Sequence, residues 1–152
     1  MYSFMYGKVV RVLSKSVVIQ YTKVSDEDWE RIVAVATLMA ENKIGPAILS
    51  ITGRTLTVEK VSFYEDPDSE MDLVKVRQAT AKFHELSLIH GDLNYSNMGV
   101  RDDGDVVIID YDWVHFRGSP PAGFMEWVKS SYDDLNSYED YLNYELEGRG
   151  YE

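Results

Sequence analysis

Apolar residues change their spacing several times along this chain, and each change marks an element. Gly7 to Leu13 and Val17 to Lys23 are rich in β-branched residues and are parted by Ser14 to Ser16, which predicts two strands joined as a hairpin. Trp29, Ile32, Val33, Ala36, Met39 and Ala40 then fall at helical spacing. Ser25 is placed to cap that helix, with Asp26, Glu27 and Asp28 at the positive end of its dipole, and Gly45 and Pro46 stop it. Ile48 to Ile51 and Thr55 to Val61 flank Thr52 to Arg54 as a second hairpin. The acidic stretch from Tyr64 to Ser69 reads as a linker. After it, Val76, Ala79, Phe83 and Leu86 define one face of a further helix. Asn97 to Val100 and Val106 to Ile109 are short strands about the turn Arg101 to Asp105. Tyr138, Tyr141, Leu142 and Leu146 return to helical spacing and predict one short closing helix.

That order predicts an α+β fold in two lobes. Residues 1–64 form a small lobe of strands with one helix, and residues 65–152 a mostly helical lobe carrying the third hairpin. No internal repeat or low-complexity tract interrupts it.

Composition narrows the class. A chain of 152 residues buries about two thirds of its unfolded surface, enough for a real core. There is no Cys, which excludes disulfides and thiolate metal sites. His84, His90 and His115 lack zinc-ligand spacing. The net charge of −11 opposes nucleic acid and anionic membrane, so neither is expected as a partner. Met1 to Lys8 lacks the apolar core of a signal peptide and no later run has the length of a membrane span, so the expected location is the cytoplasm.

The chemistry concentrates between His90 and Asp112, HGDLNYSNMGVRDDGDVVIIDYD. An Asp at 92 is followed five residues later by Asn97 and thirteen beyond that by Asp110. Phosphoryl transfer needs an acceptor hydroxyl oriented in line and metal ions that neutralise the triphosphate. Asp92 would orient the hydroxyl and accept its proton. Magnesium takes oxygen ligands and keeps several waters, so the Asn97 amide oxygen and the Asp110 carboxylate suffice to hold it against phosphates. The predicted hairpin folds Asp110 back beside Asn97. A carboxylate leaving an apolar strand also needs a cation or hydrogen-bond partners. The bland reading, an acidic hairpin with solvated carboxylates, does not account for four anchor positions in order.

His90, Asp92, Asn97 and Asp110 together resemble the catalytic loop H-x-D-x-x-x-x-N and the D-F-G metal site of the protein-kinase-like phosphotransferases. Gly91 and Asn94 stand where a typical protein kinase has Arg and Lys, and Asp112 stands where it has the Gly of D-F-G. The HGDL loop is more similar to those of aminoglycoside and choline phosphotransferases and of the small Bud32-type kinases. Ile109 to Gly118, Phe124 to Trp127 and Met39 to Pro46 resemble segments of choline and ethanolamine kinases in the same order. The resemblance implies a minimal bilobal kinase-like fold with a truncated second lobe, ATP and Mg2+ as cofactors, and His90, Asp92 and Asn97 as catalytic residues.

It also implies a nucleotide cleft. Val58 to Val61 resembles the kinase hinge, where backbone groups around Glu59 and Val61 would pair with adenine; the alternative is a charged residue at a strand end. No glycine-rich phosphate loop is present, since Gly7 is the only glycine before Gly45. Lys23 is the leading candidate to replace it, paired with Glu30 or with Glu27, while Lys8 and Lys15 are further candidates. Trp113, Trp127, Tyr132 and Tyr138 could form an aromatic box for a quaternary amine, although aromatics at such spacing more commonly pack as core.

The expected activity is ATP- and magnesium-dependent transfer of a phosphate to a hydroxyl, with a protein Ser or Thr as acceptor, because 42 residues after Asp110 leave the substrate side open. Two alternatives stand beside it. One is a small-molecule kinase of the choline or aminoglycoside type, and the other a non-catalytic kinase mimic that binds a partner protein.

Overall fold

The computed structural model describes residues 7–63 and 70–151. The first six residues, the acidic linker and the boundary expected at 64/65 lie outside the described residues. Strands β1 (Lys8–Val12) and β2 (Ser16–Tyr21) pair antiparallel, with Lys8 opposite Tyr21 and Val12 opposite Val17. The β2 strand ends at Tyr21, short of the Lys23 that its β-branched pattern predicts, because the chain turns there to reach the next helix cap.

Helix α1 (Asp26–Glu41) starts where its signals predict. The Ser25 hydroxyl accepts the Asp28 N–H at 3.1 Å, meeting one of the donors that a helix start leaves unpaired. Trp29, Ile32, Val35, Ala36 and Met39 form its buried face. The N–H groups of Ile44 and Gly45 both return to the Met39 carbonyl, at 3.0 and 3.1 Å, and end the helix. A side chain at Gly45 would lie 2.8 Å from both Met39 Cβ and the Tyr111 hydroxyl, so glycine permits the close passage there.

Strands β3 (Ile48–Thr52) and β4 (Thr55–Glu59) complete an antiparallel sheet of order β1-β2-β4-β3. Alternation in β4 buries Leu56 and Val58. The strand expected to run to Val61 stops at Glu59, because the chain leaves this sheet and joins a second one. There β5 (Ser62–Phe63) pairs with β7 (Met98–Val100), which pairs with β8 (Val106–Ile108).

Helix α2 (Glu70–Glu85) buries Val76, Ala79 and Phe83 against the first core. It leads into β6 (Leu88–Ile89), the loop from His90, and a 3-10 turn at Tyr95–Asn97 capped by the Asn94 side chain. β6 pairs with β9 (His115–Phe116). Two helices follow where the apolar spacing predicts one. α3 (Phe124–Ser131) precedes α4 (Tyr138–Leu146), and a short 3-10 turn closes the chain at Arg149–Tyr151.

One apolar cluster joins α1, β4, α2 and β8 through Ile32, Met39, Leu56, Phe83 and Ile108. A second packs Phe124, Val128, Leu135, Tyr141 and Leu142 under Ile89. β6 gives Leu88 to the first cluster and Ile89 to the second, and the loop that follows returns Leu93 to the first. No helix among the described residues is long and apolar enough to cross a membrane.

Candidate active site

The loop after β6 is held by a residue far along the chain. Glu145, on α4 and 2% exposed, accepts N–H bonds from His90 at 2.8 Å and Gly91 at 2.9 Å. It also receives the Tyr141 hydroxyl at 2.7 Å and meets His84 Nε2 at 2.8 Å. Burial works to raise the Glu145 carboxyl, but the His84 bond and the neighbouring His90 and His84 rings hold it below the usual carboxylate range. On the other side of the loop, Trp127 Nε1 donates to the Gly91 carbonyl at 3.1 Å. Gly91 has φ of 93°, and a side chain there would lie 2.6 Å from Trp113 Cβ, so both conformation and space demand glycine.

His90 faces inward. Its Nδ1 receives the Asp92 N–H at 3.1 Å, so the ring proton sits on Nε2, which donates to the Ile109 carbonyl at 2.8 Å. Ile109 N–H in turn donates to the Asn97 carbonyl at 2.9 Å. The Asn97 side chain closes the loop, since its Nδ2 donates to the Asp92 carbonyl at 2.8 Å and to Asp92 Oδ2 at 3.2 Å. Two acceptors at Nδ2 fix the amide orientation and leave Oδ1 as the atom available to a cation. Asp92, Asn97 and the residue before Asp110 thus form one hydrogen-bonded unit.

Asp92 has further partners. Tyr132 donates its hydroxyl to Asp92 Oδ1 at 2.7 Å, and Asn94 Nδ2 reaches the same oxygen at 3.1 Å. Burial, followed by the Asp92 charge, pushes the Tyr132 phenol well above its ordinary range.

Asp110 adopts φ of 68°, a left-handed conformation that is costly for a residue with a side chain. Its carboxylate remains 36% exposed and lies 3.3 Å from Lys8 Nζ. The same ammonium lies 3.1 Å from Asp112 Oδ1, which also accepts the Tyr21 hydroxyl at 3.1 Å. Burial works to raise the Asp110 carboxyl, but Lys8 and then His90 keep it below the ordinary value. Asp112 goes the other way, raised by burial and by the charge of Asp110. Burial works against the Lys8 ammonium, but Asp110 and Asp112 together raise it. Arg31, on α1, donates to the carbonyls of Asp112 at 2.9 Å and Val114 at 2.7 Å, and so ties the helix to this turn.

Among the described residues no group of three or more His, Asp or Glu side chains could hold a metal ion. Magnesium asks for less, because one or two protein oxygens plus phosphates and water complete its shell. The Asn97 oxygen and the Asp110 carboxylate are hard donors of that kind, and Asp110 is kept ionised.

The structure brings together His90, Asp92, Asn97 and Asp110, and it brings Lys8 to them. It does not bring Lys23 and Glu30 together. Both are exposed, no ion pair joins them among the described residues, and Lys23 lies beyond the end of β2. Glu27 is exposed as well. Glu59 uses its carboxylate on the Ala47 N–H and on Arg101, both at 2.8 Å, and its own N–H on the Ala47 carbonyl at 2.9 Å. That N–H is therefore already committed, and an adenine contact at this position would need another backbone group. Val61 is buried, and its side chain covers Gly99. The aromatic residues pack on one another. Trp113 stacks on Trp127 with centroids 5.8 Å apart, and the Tyr138 hydroxyl is shared between His115 and the Gly118 N–H.

Glu145 and Arg31 were not anticipated from the sequence, and Tyr132 was anticipated only as a member of the aromatic box. Glu145 left one local signal, a carboxylate one helical turn beyond Tyr141 on the apolar face of α4. The partners of Tyr132 and Arg31 left none.

No protein-family model matches the chain, and no curated protein sequence matches it. Among solved structures, the chain is similar to the crystal structure of monomeric WbdD, with a TM-score of 0.49 and 14% identity over 93% of this chain. A co-crystal structure of WbdD with the kinase inhibitor LY294002 gives a TM-score of 0.48 and 14% identity over 84% of this chain. The chain spans 40% of the first of these structures and 36% of the second.

Proposed function

We propose that this chain is an ATP- and magnesium-dependent phosphotransferase that moves the γ-phosphate to a hydroxyl on a protein. The observation that carries this reading is the hydrogen-bonded unit of Asp92, Asn97 and Ile109, closed through His90. It makes one rigid body of a base for the acceptor hydroxyl and two oxygen donors for a cation, which is the preorganisation that phosphoryl transfer requires. Asp92 accepts the proton of the acceptor hydroxyl. Asn97 Oδ1 and the Asp110 carboxylate would hold magnesium, which neutralises charge on the triphosphate. The Lys8 ammonium, already beside Asp110, is the cation best placed to meet a phosphate.

The test is thermal shift with ATP and magnesium, followed by radiolabel transfer from ATP. The parent chain is stabilised by magnesium–ATP and transfers phosphate. Asp92→Asn keeps the nucleotide-dependent stabilisation and loses transfer by about 10²-fold or more, the usual worth of a general base. An Asp92→Asn chain that transfers at the parent rate removes Asp92 from the chemistry.

One observation favours a second reading, a non-catalytic kinase mimic. Lys8 bridges Asp110 and Asp112 and so satisfies both carboxylates from within the protein. On that reading magnesium–ATP gives no thermal shift.

A further inference from the structure

Among the described residues the hydroxyls of Tyr21, Tyr132 and Tyr141 each donate to a carboxylate, and they differ in a way that singles one out. Tyr21 reaches Asp112, Tyr141 reaches Glu145 and Tyr132 reaches Asp92. Tyr21 and Tyr141 are sealed in the core, at 2% and 0% exposure, whereas Tyr132 is only half-buried. Glu145 is saturated by the loop's N–H groups, and Asp112 is held by Lys8. Asp92 is the carboxylate assigned above to receive the proton of an acceptor hydroxyl. A hydroxyl already stands 2.7 Å from its Oδ1.

We propose that Tyr132 is itself an acceptor, and that the chain phosphorylates this hydroxyl in cis. The inference rests on the phosphotransferase reading and adds an acceptor to it. Tyr132 is positioned independently of Asp92. Its N–H closes the end of α3 on the Val128 carbonyl at 2.8 Å, and its ring packs on Tyr144 and Tyr141 with centroids 5.1 and 5.8 Å away. A group held this way has already lost most of the freedom that an incoming acceptor must lose.

In the transfer, Tyr132 Oη forms a bond to the γ-phosphorus of ATP. The bond from that phosphorus to the β–γ bridging oxygen breaks, and its electron pair leaves with ADP. The phenolic proton passes to Asp92 Oδ1. Burial and the Asp92 charge keep the phenol protonated until that moment, so the step needs a base and the base is in contact. The product carries about −1.5 to −2 charge beside the Asp92 carboxylate. Like charges repel there, and transfer stops after a single phosphate.

The test incubates the full chain with magnesium and radiolabelled ATP and locates the phosphate by fragmentation mass spectrometry, with a thermal shift run alongside to report nucleotide binding. The expected result is one phosphate per chain on Tyr132, gained at a rate independent of protein concentration. Label is lost in Tyr132→Phe and retained in Tyr144→Phe and Tyr138→Phe. When the parent chain is mixed with Asp92→Asn, the Asp92→Asn chain stays unlabelled. Localisation on the parent chain decides the matter even if Tyr132→Phe fails to fold. A chain that binds magnesium–ATP but carries no phosphate on Tyr132 overturns this proposal and leaves the phosphotransferase reading standing. Labelling of the Asp92→Asn partner overturns transfer in cis. Absence of any nucleotide binding removes both readings.

Discussion

Glu145 accepts the backbone N–H of His90 at 2.8 Å across 55 residues of sequence, so helix α4 sets the position of the loop that carries Asp92. The carboxylate has four donors around it, two backbone N–H groups, a phenol and an imidazole. An amide of the same shape turns one end into a donor and faces it toward donors. Glu145→Gln is therefore expected to destabilise the fold by about 1–3 kcal/mol, the cost of leaving a buried hydrogen-bonding group unpaired. Urea unfolding measures this.

The same carboxylate makes a prediction about pH. Its folded-state pKa lies below the ordinary value of about 4.3, so the folded protein binds fewer protons than the unfolded chain in that window. The stabilisation is fully present above the ordinary value and is lost as pH falls through the lowered one. Unfolding free energy measured against pH shows this acid-side loss in the parent, and Glu145→Gln flattens it.

Asp110→Ala is expected to abolish magnesium-dependent nucleotide binding while the fold survives, since its carboxylate is partly exposed and Lys8 keeps Asp112 as a partner. Calorimetry with ATP and magnesium reads the result. Unchanged affinity in a folded variant moves the protein toward the mimic reading.

Lys8 and Lys23 make opposite predictions. Lys8→Met leaves Asp110 and Asp112 without their shared cation, so both carboxylates rise in pKa and the folded state takes up protons more readily than the unfolded chain. The variant is less stable than the parent at neutral pH, and the gap narrows as pH falls and one carboxylate is protonated. It also loses affinity for ATP more than for adenosine, which has no phosphate to contact. Lys23→Met leaves both affinities unchanged, because Lys23 is exposed and no ion pair joins it to Asp110 among the described residues. A selective loss of ATP affinity in Lys23→Met returns the phosphate role to Lys23.

Tyr111 buries a hydroxyl that has no hydrogen-bond partner among the described residues. Removing an unsatisfied buried hydroxyl relieves a desolvation cost of about 1–3 kcal/mol, part of which is regained as apolar packing. Tyr111→Phe is expected to be neutral or more stable than the parent, which a shift of the urea midpoint at constant slope reports.

What the sequence alone determined is local. Ser25, the acidic turn after it and the spacing from Trp29 to Met39 specify α1, because a cap and a helical stripe are interactions among near neighbours. The turn from Arg101 to Asp105 with β-branched residues on both sides specifies the β7–β8 hairpin, and its register brings Ile109, the residue before Asp110, back to Asn97. The four anchor residues of the loop and hairpin were legible for the same reason. The extent of β2 and β4 was not, because β propensity continues past Tyr21 and Glu59 while the chain's path to α1 and to the second sheet does not. Only the tertiary structure decided that Lys8 meets Asp110, that Tyr132 occupies Asp92 and that Glu145 anchors His90. Each of those bonds joins residues tens of positions apart, and a hydrogen bond or ion pair depends on separation in space, which periodicity along the chain does not encode.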